Sequence, residues 1–452
     1  MLYPRAVTKF NEAAPQIAVV LGGLEESDAN SFEFPVTSPT LVANPGNFPM
    51  YFMLISAGYV LPWTAICSKV SYFTEEYGAN YFVMLNVYFY VSGLPVTAFG
   101  VWYDHTVEMK YESKFTYLMR SIVCLTSILI LVMLIPFAST DQLSIIVGFL
   151  GMFTWAVHNS HALVAALVQL NVTTMYQQVG YALPAVISLI LNFALASPSF
   201  NICLGYFSVV GVFVLLAAGC AIKLIRSRFL KMKVVEKDRQ SLQDHNLHVN
   251  HNRMHQSSMR HTEMMVSLMS TDSRAFTVFS VKYHMVVLFF VIYCSVLEGA
   301  FISYVQPVGK TLTLPTILYF VRVFGDLLGR PLTWIKCLPS GIRQLKGIAV
   351  LAFFRVSLMA VWFIYIYWPT LMFRSDAFIV SLQLGISLSS GFLVSLIYES
   401  AADKFADSEA DRTKASERLS LAFQIGATSA ALTSLVMIKY GHQISELVAE
   451  LV

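Results

Sequence analysis

The sequence predicts an all-α polytopic membrane protein, with eleven transmembrane helices in a six-plus-five arrangement. Three observations carry that prediction. Of 452 residues, 56% are hydrophobic and only 13% are charged, and the mean hydropathy is +0.62. A soluble domain of this length needs far more charge at its surface. Apolar runs of the length that crosses a bilayer recur along the chain, about 20 residues each. Lysine and arginine, finally, gather in alternate loops, as they do on the cytosolic face of membrane proteins. A net charge of +3 is too small to imply a nucleic-acid partner. Cys67, Cys124, Cys203, Cys220, Cys294 and Cys337 lie in or beside apolar runs, with no CxxC or Cys/His spacing. They read as packing residues, so neither a disulfide framework nor a metal site is expected.

Residues 1–47 are mixed and turn-rich, with an acidic patch at Glu25, Glu26 and Asp28. They lack the basic stretch and apolar core of a cleaved signal peptide, and read as a cytosolic tail. The first six-helix bundle is expected over 48–222. Its first span, about Phe48–Tyr72, contains Leu61-Pro62-Trp63-Thr64, and the second, about Tyr81–Trp102, contains Asn86, Gly93 and Pro95. A proline inside a span frees a backbone carbonyl, which is tolerated where a neighbour or a polar space satisfies it. A charged loop, Asp104–Lys114, leads to span three, about Tyr117–Phe137, with Arg120 near its start. Between Gln142 and Ile222 there is no Asp, Glu, Lys or Arg. That stretch holds spans four to six, divided by polar 171–178 and by the turn signal Ser197-Pro198-Ser199. Span four carries Trp155, His158, Asn159 and His161, an unusually polar set for a face toward lipid.

Residues 223–282 are the one long hydrophilic segment, basic at first (Lys223, Arg226, Arg228, Lys231, Lys233) and then rich in His, Gln, Ser and Met. They read as a flexible cytosolic loop. His248, His251 and His255 have no ordered scaffold around them, so they do not read as metal ligands. The second bundle follows over 283–438: span seven, about Tyr283–Val305, with Glu298; span eight; span nine, about Gly347–Trp368, with Arg355; span ten, about Asp376–Tyr398; a charged loop, Glu399–Arg418; and span eleven, about Leu419–Ile438. Residues 439–452 read as an external tail. With the long loop inside, Lys110, Lys114, Lys336, Arg343, Lys346, Lys404, Arg412 and Lys414 are also inside, against Lys69, Lys310 and Arg374 outside. The sequon Asn171-Val172-Thr173 then lies on the cytosolic side, and should stay unmodified in cells. A glycosidase-sensitive mass shift on membrane-extracted protein that vanishes in Asn171→Gln would overturn this orientation.

Span eight is the most unusual stretch. Leu318–Trp334 reads LYFVRVFGDLLGRPLTW, and Arg322, Asp326 and Arg330 are spaced by four, on one face of a helix. Each such group is unfavourable by roughly 2.5–3.5 kcal/mol at the centre of a lone span. The stripe therefore predicts a polar interior: a substrate-binding space lined by this helix or, in the plainer alternative, snorkelling arginines and a structural tie. Gly325 and Gly329 beside it allow close approach of another helix.

The run Phe324-Gly325-Asp326-Leu327-Leu328-Gly329-Arg330 resembles the Asp-x-x-Gly-Arg signature in the eighth span of the equilibrative nucleoside transporter family. Leu61-Pro62-Trp63 resembles that family's Leu-Pro-Trp in span one, Arg355 its arginine in span nine, and Ser389-Ser390-Gly391-Phe392-Leu393 its Ser-Asn-Gly-Tyr-Leu in span ten. The resemblance covers about Phe48–Ile438. Thr64 and Ser390 stand where the family has Asn, Arg322-Val323 replaces a Phe-Asn pair, and Gln306 replaces an aromatic before Pro307. These departures leave the fold expectation intact and bear on substrate choice.

The resemblance implies an alternating-access carrier similar to the major facilitator class, moving nucleosides and nucleobases by facilitated diffusion or with protons. It implies no cofactor and no catalytic residue. No sorting signal is legible, and the plasma membrane is expected rather than an internal one. In chemical terms, Trp63 offers a packing surface for a base, His158 or Asn159 reads base edges, Asp326 accepts from ribose hydroxyls and Arg330 keeps it ionised. Thr64 and Ser390 complete the substrate set by position, with Arg322, Arg355, Glu298 and Arg120 as supporting charges. A carrier of another polar solute (a sugar, amino acid or cationic drug) and a receptor without flux are the competing readings. No nucleophile–base pair, metal box or phosphate loop suggests an enzyme.

Overall fold

The computed structural model describes residues 48–110, 119–168, 171–195, 200–227, 262–308, 314–334, 341, 344–368, 375–404 and 409–449. The fold is all-helical. α1 (Phe48–Ser68) gives way at Lys69 to a short α2 (Val70–Tyr77), and α3 (Ala79–Lys110) follows Gly78, whose φ of 84° makes the turn possible. A π turn (Met119–Val123) opens α4 (Cys124–Leu134), and α5 (Thr140–Val168), α6 (Asn171–Ala194) and α7 (Phe200–Arg226) complete the first bundle. The second comprises α8 (Thr262–Ala300), α9 (Leu314–Gly329) with a 3₁₀ extension Arg330–Trp334, α10 (Leu345–Tyr367), α11 (Asp376–Lys404) and α12 (Glu409–Ala449).

Among the described residues nine helices are long and apolar enough to cross a membrane. The expected count of eleven is reached only by adding α6, whose apolar part is Val179–Ala194, and α9, which is 16 residues long and holds Arg322 and Asp326. Several helices also outrun the expected spans. α3 continues through Asp104–Lys110, α11 and α12 leave only 405–408 of the expected loop Glu399–Arg418, and α12 extends to Ala449 into the expected tail. From Thr262 onward the expected flexible segment is helical too; its part at 228–261, including His248, His251 and His255, lies outside the described residues. The cause is helix propagation. Once a turn is nucleated in the bilayer, each further residue gains a hydrogen bond at little cost, so polar helix formers prolong it into water.

Each bundle has its own apolar core. Phe52, Tyr59, Leu125, Ile128, Leu150 and Tyr206 belong to the first, and Leu288, Phe301, Leu318, Trp362 and Ile397 to the second. The outward faces are apolar as well: Phe193 is 80% and Phe353 76% exposed, as befits side chains turned to lipid. Between the bundles, α3 packs against α12, and α6 against α9. A third apolar cluster joins them at Cys67, Val70, Phe82, Tyr319 and Phe320. Polar contacts reinforce that end. Ser71 Oγ and Thr316 Oγ1 are 2.7 Å apart, Tyr319 donates to the Thr64 carbonyl at 3.2 Å, Ser303 to the Ala79 carbonyl at 3.4 Å, and Tyr304 to Asn80. Beside them Lys69 donates to the Leu195 carbonyl at 3.2 Å, and partial burial lowers the pKa of its ammonium. The bundles are thus sealed together on the side that the charge asymmetry assigns to the exterior.

The crossing of α9 and α11 is the tightest point near the ionisable stripe. A Cβ added to Gly329 would fall on the Leu388 carbonyl, and one added to Gly391 on the carbonyl of Asp326. Both are backbone atoms that no rotamer change can move aside. Overpacking of this kind costs about 1–3 kcal/mol or more. Gly391→Val should accordingly lower the yield of monodisperse protein severalfold and lower its Tm, read by size-exclusion chromatography and thermal melting.

Candidate functional site

The three charges of α9 do not act as one stripe. Arg330, in the 3₁₀ extension, folds back so that Nε and Nη2 both donate to Oδ2 of Asp326, at 3.0 and 2.8 Å. The two side chains remain 22% and 32% exposed. Oδ1 of Asp326 makes no hydrogen bond among the described residues and is left to accept from another donor. The guanidinium also lies 5.8 Å from the ring centroid of Tyr181 on α6, within cation–π range. The pair therefore sits where the second bundle meets the first.

Arg322 turns the other way. Its Nη2 donates to the Ser295 carbonyl at 3.0 Å, and its Nε is 3.8 Å from Oε2 of Glu298, which is 1% exposed. Gln383 donates to the other carboxylate oxygen of Glu298, and to Ser387 at 3.0 Å. Arg355 on α10, also 1% exposed, donates to the Val291 carbonyl at 2.6 Å and to Ser295 Oγ at 2.7 Å. Ser295 Oγ in turn lies 2.7 Å from Ser390 Oγ. Glu298, Arg322 and Arg355 thus form one network inside the second bundle, held by neutral amides and hydroxyls. Charge in so dry a place is tolerated only when paired and hydrogen-bonded. Ser390, expected in the substrate set, is 5% exposed and belongs to this network. Arg120 lies apart from it, in the π turn that opens α4 in the first bundle.

On the first bundle, the Trp63 ring stacks on Phe89 at 4.1 Å and 8° and meets the edge of Tyr90 at 6.3 Å. Thr64 beside it is 6% exposed, and its hydroxyl donates to the Val60 carbonyl of its own helix at 3.1 Å. Its donor is satisfied locally, as in many helical threonines. His158 is part-buried, and its Nδ1 is 3.3 Å from the hydroxyls of both Tyr59 and Tyr181. Tyr59 donates to Tyr181 at 3.1 Å, as does Gln177 at 2.8 Å. Asn159 directs its amide to Thr97 at 3.4 Å on α3. Trp155 lies between the His158 ring, at 5.1 Å, and Phe423 of α12, at 5.5 Å.

His158, Tyr181, Arg330 and Asp326 consequently form one continuous polar path from the first bundle to the second, and Trp63 has an aromatic setting of its own. Tyr59, Tyr181, Phe89 and Tyr90 were not singled out from the sequence. One signal was present: Tyr59 stands four residues before Trp63, and Tyr181 four after Gln177, on shared helix faces.

No family model matches the sequence, and no curated protein matches it. Solved structures do. The nucleoside transporter NupG superposes with a TM-score of 0.53 at 12% identity, over 87% of this chain and 92% of that one. A bacterial homologue of the human lysosomal transporter Spinster, in an inward-facing conformation, gives 0.52 at 11% identity, over 89% and 84%. A D-xylose–proton symporter gives 0.52 at 10% identity, over 85% and 89%. At such identities the likeness shows the fold alone, which is that of membrane transporters of the major facilitator class.

Proposed function

We propose that this multi-pass membrane protein is an alternating-access carrier for nucleosides, and for nucleobases with lower affinity, that works as an equilibrative nucleoside transporter does. The observation that carries the reading is the partly exposed Asp326–Arg330 pair, whose guanidinium lies over Tyr181 of the other bundle, itself within hydrogen-bond distance of His158. A nucleoside joins a flat base, rich in hydrogen-bond acceptors, to a ribose rich in hydroxyls. The Asp326 oxygen that Arg330 does not engage suits the hydroxyls, since a carboxylate accepts from O–H strongly. The imidazole and aromatic rings suit the base. The Asp-x-x-Gly-Arg run places the pair on span eight, and the seal at Ser71–Thr316 fits a carrier closed on one side of its site.

Radiolabelled adenosine, uridine and adenine uptake, measured in a host lacking its own nucleoside carriers and at two pH values, tests the proposal. Saturable uptake of nucleosides, competed by unlabelled nucleosides and not by sugars or amino acids, is the expected result. Competition by a sugar or an amino acid alone would instead support another polar solute. A dependence on acidic external pH would add proton coupling, and uptake by whole cells would place the carrier in the plasma membrane.

A further inference from the structure

We infer that Arg322 anchors a binding site for a small anion of single charge, chloride by size, where the bundles meet beside Trp63 and Tyr90. Only the link between that anion and adenosine rests on the proposed function.

Charge inside the second bundle does not balance. Glu298 supplies one carboxylate, and two guanidinium groups face it. Arg322 has its Nε 3.8 Å from Oε2, and Arg355 also feels the charge of Glu298. Asp326 does not make up the difference, because Arg330 already matches it with two hydrogen bonds to Oδ2. The other members of the network are neutral: the side chains of Gln383, Ser387, Ser295 and Ser390, and the carbonyls of Val291 and Ser295. Such dipoles soften a charge and leave its sign unchanged. One cation is therefore unmatched among the described residues of this network. Ionisable groups inside a span are costly, and they mark the paths of ions and substrates.

Of the two arginines, Arg322 is the one that reaches the space between the bundles. Arg355 is 1% exposed, against 24% for the Arg322 side chain. The Arg322 guanidinium rests on α8 at Gly299, where an added Cβ would fall 2.4 Å from Cζ. Its neighbours across the junction are Cys67 of α1 and the Tyr90 hydroxyl of α3, which the Trp63 indole also approaches. Guanidinium N–H, indole N–H and phenol O–H are all donors. On the first-bundle side no carboxylate opposes them, since α1 and the membrane-spanning part of α3, Ala79–Tyr103, contain no Asp or Glu. Donors from both bundles, with a surplus positive charge behind them, call for an anion. Chloride meets that demand with one charge and no fixed bonding direction. A carboxylate carried by the substrate itself has the same chemistry, and the two sources are separable.

Thermal melting of the purified protein, with sodium chloride replacing sodium gluconate at constant ionic strength, tests the site without any nucleoside. Chloride should raise the Tm of the wild type saturably, as a ligand of the native state does. Arg322→Gln leaves one carboxylate with one guanidinium and should lose the response, whereas Arg322→Lys keeps the charge and should keep it. Glu298→Gln leaves two cations unopposed and should respond at about tenfold lower chloride. A purely structural ion pair predicts otherwise: both neutral variants would melt earlier, and neither would change its response to chloride.

Binding of adenosine, uracil and orotate (a pyrimidine base with one carboxylate) identifies the source. With free chloride as the occupant, adenosine should bind about tenfold more tightly in chloride than in gluconate, and orotate no better than uracil. Orotate bound in gluconate and displaced by chloride supports the same site with its charge delivered by the substrate. A wild type indifferent to chloride that also fails to prefer orotate overturns the inference. Failure of adenosine to bind in either salt removes the nucleoside reading, and the chloride response still decides the anion site.

Discussion

Asp326→Asn should abolish nucleoside transport while leaving the protein folded and in the membrane. The substitution keeps the shape of the side chain and removes its charge. Arg330 then loses the oxyanion that takes two of its N–H groups, at 3.0 and 2.8 Å. A hydrogen bond to a charged group is worth about 1.5–3 kcal/mol, and the value belongs toward the lower end because both side chains are partly open to solvent. A loss of about 2 kcal/mol at a substrate hydroxyl is a fall of some thirtyfold in affinity. The effect on flux should be larger, since Arg330 also meets Tyr181 of the opposite bundle and losing the carboxylate would shift that contact. Arg330→Lys keeps the charge without the planar fork and should give a partial defect. Adenine lacks the ribose, so its binding should suffer less than that of adenosine. The deciding measurement is binding and flux for purified Asp326→Asn that elutes as the wild type does. Wild-type values there would mean that the pair is only a tie between helices.

An oxidised Ser71→Cys/Thr316→Cys pair should stop transport almost completely, and a reductant should restore it. The two hydroxyl oxygens are 2.7 Å apart, one on α2 and the other on α9, so the side chains meet, as the partners of a disulfide must. A covalent link at that point holds the bundles closed on one side, and alternating access requires that side to open. At least a tenfold fall in flux is expected, with binding from the opposite side retained. Each single cysteine variant should stay active under oxidant, which controls for nearby Cys67. Full flux with the cross-link quantitatively formed would rule out rocking of the bundles about this contact.

Much of the candidate site was legible in the sequence because intramembrane charge is costly enough to stand out. Arg322, Asp326 and Arg330 at four-residue spacing, Glu298 on span seven and Arg355 on span nine needed no coordinates to be singled out. Their partners were not legible. Equal spacing suggested a single stripe, yet Arg330 closes on Asp326 within its own helix, while Arg322 reaches Glu298 on α8. Long arginine stems can swing to either side of a helix, and neighbouring helices decide which side offers an acceptor. Ser390 and Thr64 were read by position as substrate-facing. Their short hydroxyls are taken up nearer by, one by Ser295 and the other by the Val60 carbonyl.

The sequence by itself determined the class of the protein and the small residues at which another helix can approach span eight. These are local or additive properties: length and hydropathy of a run, and the absence of a side chain at Gly325 and Gly329. Only the tertiary structure decided which polar groups share a site. His158, Tyr59 and Tyr181 come from three helices, and the longest of their separations is 122 positions along the chain. Hydrogen bonds at that separation depend on how the helices are rotated about their axes. That rotation follows from the packing of whole faces, which no single stretch of sequence contains.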